Sequence, residues 1–256
     1  MTLIHPTALI DPSARIGNEV EIGPWVLVGP RVEIGDGCRL AARATLEQNV
    51  RLGERVRVGI GAVLGGDPQD IGYRGEDTWV AIGSDTVIRE YVTINRGTAA
   101  RRLTSVGENC FLMAYVHLGH DCQVGNHVTI ANATEISGHV TIQDNANLSG
   151  LIAIHQFVTI GAFAFVGGAS RVNQDVPPFV KAVGNPIKLY GLNTVGLRRS
   201  GMEGDTIRAL KRAYRLVFNS PVPTSQAIDQ VRDERLGAEV DRFLDFLEAS
   251  ARGIPA

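Results

Sequence analysis

Aromatic residues are scarce, at 6 % of a 256-residue chain, while glycine is plentiful at 29. That balance argues against an ordinary helical enzyme and for a chain with many turns. Cysteine is nearly absent: three residues, none in a C-x-x-C pair, which excludes a disulfide framework and the common zinc motifs. There is no surplus of positive charge, since the formal net charge is −2; an overall basic field for nucleic acid is therefore not expected. No apolar run approaches the roughly 20 residues of a membrane span. The opening Met-Thr-Leu-Ile-His-Pro has neither the basic nor the apolar stretch of a secretory leader. A cytoplasmic protein is the expectation from these absences.

What is present is a repeat of six. Taking every sixth residue from Ile4 to Val172, each position is Ile, Leu or Val except Asp70, Glu76 and Ala100. A period of six fits neither a helix nor a plain alternating strand. It fits a parallel β-helix of hexapeptides, in which each hexad is a short strand and a turn and three hexads close one coil. Aliphatic residues point inward and stack on their copies in the next coil at about 4.8 Å; no coil buries its own side chains, so stacking makes the core. A second inward slot, four residues later, holds small or β-branched residues such as Ala8, Val20 and Val32. Cys38, Cys110 and Cys122 fall in that slot, which marks them as core fillers.

The three exceptions locate two excursions, residues 65–79 and about 97–104, which leave the frame without shifting it. Loops on a rigid scaffold are natural places for binding groups. After Val172 the frame gives way to helical patterns, with Ile207, Leu210, Tyr214, Val217 and Phe218 on one face and Val240, Phe243, Leu244 and Leu247 on another. The expected organisation is a β-helix over 1–186 and a helical domain over 187–256 that caps the open last coil.

Residues 18 apart lie above one another in such a coil. His120 therefore stacks with Gly138 and then Gln156, and Asp121 with His139. His155 and His117 fall on the same edge, outside the core. His5 reads as a turn residue and His127 as surface, without a partner in the frame. An imidazole oriented by Asp121 suits a general base, and the Gly138 N–H, unobstructed by a side chain, suits an oxyanion donor in acyl transfer. Two other readings stay open on spacing alone: a histidine metal site of the zinc-hydratase kind, and a solvated polar edge on a non-enzymatic solenoid. No adjacent pattern completes a three-histidine set, so no metal and no cofactor is expected.

Several runs carry a family resemblance: His5-Pro-Thr-Ala8, Gln69-Asp70, Tyr73-Arg-Gly-Glu76, Ile88-Arg-Glu-Tyr-Val-Thr-Ile-Asn-Arg-Gly-Thr98, His117-Leu-Gly-His-Asp-Cys122, Ser137-Gly-His139, Ile154-His-Gln-Phe157, Val166-Gly-Gly168 and Gly191-Leu-Asn-Thr-Val-Gly-Leu-Arg-Arg199. Nearly end to end, the chain resembles the UDP-N-acetylglucosamine acyltransferases that begin lipid A synthesis. The resemblance implies a left-handed coil, although general crossover preference would favour the right hand. It implies a homotrimer with sites between subunits and a 3-hydroxyacyl group delivered on acyl carrier protein to a UDP-sugar. By matching position, it implies His120 as general base, Asp121 as its orienting partner and Gly138 as oxyanion donor. Asp70, His117, His139, His155 and Gln156 would line the sugar and acyl sites, Asn193 and Arg199 would meet the nucleotide, and Gly168 would gauge acyl length. Gly72, Asn95, Val195 and Ser200 depart from the family's usual residues. They keep open N-acylation of a 3-amino analogue of the sugar nucleotide; a separate alternative is coenzyme A-dependent sugar N-acylation on the same scaffold.

Overall fold

A computed structural model describes residues 1–255. The hexads wind into a left-handed parallel β-helix whose three faces are sheets of 11, 9 and 8 strands. Leu3–Ile4 lies on the 11-stranded face, Leu9–Ile10 on the 9-stranded face and Arg15–Ile16 on the 8-stranded face. Each strand pairs in register with the strand one coil on, so Ile4 sits beside Ile22 and Ile22 beside Leu40.

The two inward columns form one continuous core. From the second coil onward every framed aliphatic residue is buried, and so are Cys38, Cys110 and Cys122 in the second slot. Burial pushes the thiols up, Cys122 to about 12, which leaves them without thiolate character. The first coil has no neighbour below, and Leu3, Ile4 and Leu9 are exposed.

Loops interrupt the stack without breaking register. Residues paired across one coil are 18 apart in most of the body, 30 apart across the first excursion and 24 apart across the second. Both excursions add whole hexads, which is why the frame survives them. Strand hydrogen bonding sets the bounds more tightly than the frame did: the first loop runs from 67 to 78, between Val63–Gly66 and Trp79–Ile82, and the second from 96 to 102, between Thr93–Asn95 and Leu103–Val106.

At the far end Val180–Val183 continues the 11-stranded face in parallel, and Lys188–Leu192 returns antiparallel to it. Four helices follow: α1 (Thr194–Arg199), α2 (Gly204–Phe218), α3 (Thr224–Asp233) and α4 (Ala238–Ala249). α2 buries Ile207, Leu210, Ala213, Tyr214 and Val217, and α4 buries Val240, Phe243 and Leu244. α3, which no strong periodicity announced, packs Ala227, Ile228 and Val231 into the same cluster. The chain end then closes the last coil: the Asp175 N–H donates to the Gly253 carbonyl, and Asp175 accepts from the Ser250 hydroxyl at 2.7 Å.

Candidate active site

His120 and Asp121 form the corner between the 9-stranded and 8-stranded faces, just after His117–Leu118. Leu118 and Cys122 point into the core on either side, so the corner between them, Gly119 to Asp121, lies outside the inward columns. The His120 ring lies outside the aliphatic columns of the scaffold, yet it is covered. His120 is only 6 % exposed and Asp121 is fully buried, because the 96–102 loop folds over the corner.

That loop sets the carboxylate. Asp121 accepts from the Thr98 hydroxyl at 2.7 Å, the Thr98 N–H at 3.0 Å and the Arg101 N–H at 3.2 Å. Its fourth partner is His120 Nδ1 at 2.9 Å. Burial pushes the Asp121 carboxyl up, but the bonds from His120 and Thr98 outweigh it and hold the group below its ordinary value. A carboxylate on Nδ1 requires the proton there, so the neutral ring keeps its lone pair on Nε2. That nitrogen lies over Gly138: a Cβ on Gly138 would be 2.6 Å from it. The Gly138 N–H has no hydrogen-bond partner among the described residues.

His120 and Gly138 open on a cleft of about 260 Å³ that His117, Glu135, Gln69 and Gln156 also line. His117 shares a 2.8 Å hydrogen bond with Thr93 through Nδ1, one strand below. His139 stands edge-on to His120 with ring centroids 5.0 Å apart, and stacks on Phe157 at 4.6 Å. Donor atoms of His120, Asp121 and His139 lie within 4.8 Å of one another, close enough to ligate an ion. The Asp121 oxygens are already taken by four donors, an arrangement that suits orienting a ring more than binding a cation.

Burial pushes the His117 and His139 imidazoles below the ordinary value of 6.5. As pH falls through 6.5 the unfolded chain therefore takes up protons that the folded chain refuses, and stability drops. Melts should show a lower Tm at pH 5.5 than at pH 7.5, with a shallower drop in His117→Asn; a variant as pH-sensitive as the parent would contradict this.

Not every residue singled out from the sequence reaches this cleft. His155 is exposed, with Nδ1 3.2 Å from the Gln156 carbonyl, and does not line it. Asp70 is exposed on the first loop, where it caps the Gly72 N–H at 2.9 Å, though its charge is felt at His139. Gly168 lies at another corner, where a Cβ would meet only the Gly150 carbonyl and Ser149. Asn193 and Arg199 line a separate pocket of about 700 Å³ against the 11-stranded face. Asn193 caps α1, accepting from the Gly196 N–H at 3.1 Å and donating to the Phe163 carbonyl at 2.9 Å. His127, read as plain surface, lines that pocket with Asn145 and Phe163. Glu135 was also missed. The 18-residue spacing places Glu135 over His117 and Asn145 and Phe163 over His127, so the signal was there for both.

A hexapeptide coil that buries a His–Asp pair against a free glycine N–H suits acyl transfer, a general base beside an oxyanion donor. Three family models match: GMPPB C-terminal domain over 4–104, bacterial transferase hexapeptide (six repeats) over 104–138, and Udp N-acetylglucosamine O-acyltransferase, domain 2, over 175–255. The acyl-[acyl-carrier-protein]--UDP-N-acetylglucosamine O-acyltransferase of a Synechocystis strain is 42 % identical over 75 % of this chain and 69 % of its own. Among solved structures, LpxA from Acinetobacter baumannii is 42 % identical, covers 99 % of this chain and 100 % of its own, and superposes with a TM-score of 0.96. LpxA of Bacteroides fragilis, a UDP-N-acetylglucosamine acyltransferase, is 37 % identical with the same coverage and a TM-score of 0.95. The chain is an acyltransferase, and it belongs to the UDP-N-acetylglucosamine acyltransferase family.

Proposed function

We propose that this protein moves a 3-hydroxyacyl chain from acyl carrier protein to the 3-hydroxyl of UDP-N-acetylglucosamine, the opening step of lipid A synthesis. One observation carries the chemistry: His120, oriented through Nδ1 by Asp121, holds Nε2 over the unpaired Gly138 N–H inside a cleft. Nε2 takes the proton as the sugar oxygen attacks the thioester carbon. The Gly138 N–H receives the developing oxyanion, and the proton passes from the imidazolium to the leaving thiolate of the carrier.

Only part of the site belongs to one copy. The His120 cleft opens on the 9-stranded face, and the Asn193–Arg199 pocket lies against the 11-stranded face. In a homotrimer built around the corner these faces share, each cleft meets a neighbour's pocket. The corner between them carries the exposed apolar side chains Trp25, Tyr91, Tyr115 and Leu151, which suits it to such an axis. In this reading the coils of 1–186 do the chemistry and 187–256 supply nucleotide contacts through Asn193 and Arg199. His117 and Gln156 line the acceptor and acyl path within their own cleft, and Asp70, His139 and His155 border its entrance. Among the described residues no helix is long and apolar enough to cross a membrane, and the enzyme works in the cytoplasm.

Gly168 serves as the acyl ruler. A Cβ there would meet only the Gly150 carbonyl, at 3.2 Å, and Ser149, at 3.7 Å, so the atoms beyond the Cβ of a larger residue would intrude on the neighbouring groove. With a mixture of carrier-bound chains, the product mass spectrum should move to shorter chains in Gly168→Met; an unchanged spectrum removes the assignment. A second reading, N-acylation of the 3-amino sugar, has one observation behind it. Asn95 Oδ1 is buried without a hydrogen-bond partner, one strand from the cleft, an acceptor with room for the second N–H that an amine keeps after the first is lost to the base and a hydroxyl does not have. Offering both sugars in the same assay separates the two: preference for the hydroxyl sugar eliminates the amine.

A further inference from the structure

Arg96 is the most deeply buried cation in the chain, at 1 % exposure, and the chemistry above makes no use of it. A guanidinium out of water is costly unless its donors are paired, and the partners here are specific. Nη1 donates to the Gly65 carbonyl. Nη2 forms an ion pair with Asp67 and donates to the Tyr73 hydroxyl at 3.0 Å. All three partners belong to the first loop or its root.

The loop needs that hold. Its far end is tied down where Asp77 takes Arg31 at 2.7 Å and Asn49 at 3.0 Å. Its near end is tied where Asn95 Nδ2 donates to the Asp67 carbonyl at 2.8 Å. Between these anchors, residues 68–76 make bonds within the loop, such as Gly72 to Asp70 and Arg74 to Glu76. The Arg96–Tyr73 bond is their one hydrogen bond to the coils among the described residues. This middle stretch includes Gln69, which lines the cleft, and Asp70, whose charge reaches His139. Two residues after Arg96 the same loop holds Asp121 through Thr98.

We infer that Arg96 is a positioning residue for the sugar nucleotide: a buried fork that fixes the 67–78 loop, and with it Gln69 and Asp70, in register with the His120 cleft. A lysine would keep the charge but lose the planar fork that reaches Gly65, Asp67 and Tyr73 together. The inference rests on the acceptor assigned above.

The test is a set of steady-state kinetics with Tyr73→Phe and Arg96→Lys, alongside calorimetric titration of UDP-N-acetylglucosamine and thermal melts. Tyr73→Phe removes the hydroxyl that accepts from Arg96 and donates to the Glu76 carbonyl at 3.3 Å, and should fold normally. Its KM and Kd for the sugar nucleotide are expected to rise roughly tenfold, the worth of one hydrogen bond to a charged group, with kcat within about threefold. Arg96→Lys should move the same way and further. Unchanged KM and Kd in Tyr73→Phe, with only the melting temperature lowered, would reduce Arg96 to a structural role and overturn the inference. So would an Arg96→Lys variant that binds like the parent. If the parent itself neither binds nor acylates UDP-N-acetylglucosamine, the assigned acceptor is wrong and the inference falls with it.

Discussion

Replacing His120 with alanine should lower turnover by on the order of 10²–10⁴, the usual contribution of a positioned general base. The substitution removes the only nitrogen that is both oriented by Asp121 and open to the cleft. His139 cannot substitute: its Nε2 faces Asp121 at 3.7 Å and its ring stacks on Phe157. The fold should survive, since Asp121 keeps its bonds from Thr98 and Arg101 and the ring lies outside the aliphatic columns. Initial rates on protein of parental melting temperature are the measurement. A variant that retains a tenth of the parental rate would remove His120 from the mechanism.

Gly138→Ala is expected to cost about 10²–10³ in kcat, comparable to losing an oxyanion donor. Two causes are entangled. A Cβ at this position would lie 2.6 Å from both Cε1 and Nε2 of His120, so the ring must swing away from Asp121. The same methyl would crowd the N–H that meets the oxyanion. The double variant His120→Ala/Gly138→Ala separates them, because with the ring gone the clash disappears. If the glycine only makes room for the imidazole, the double variant matches His120→Ala. A further drop assigns the remainder to the oxyanion.

The six-residue period carried most of the fold because its cause is local and repetitive. Each hexad meets the same requirement, one aliphatic side chain inward at each strand, so the pattern from Ile4 to Val172 reports the coil directly. The insertion of whole hexads at both loops kept that pattern readable. Stacking at 18 residues places Gly138 over His120, where a Cβ would lie 2.6 Å from Nε2. α1 and α3 were less legible: one has six residues, and the other buries only Ala227, Ile228 and Val231.

The site was legible only in part. Stacking arithmetic holds within the coils but does not say where a loop goes. Thr98, Arg101 and Arg96 are ordinary loop residues in the sequence, yet the first two bind the Asp121 carboxylate and the third staples the neighbouring loop. The same arithmetic grouped His155 with His120 because they share an edge. The structure turns His155 outward toward the Gln156 carbonyl.

By itself, then, the sequence determined the coil, its register and the column that holds His120, Gly138 and Gln156, because a periodic core leaves each side chain one place to point. Only the tertiary structure decided that His120 is covered, that Asp121 is saturated by a loop 20 and more residues away, and that Asn193 and Arg199 lie on a different face from the histidines. Those outcomes depend on how aperiodic segments fold back on the prism, where hydrogen bonding between distant residues, and not local pattern, sets the geometry.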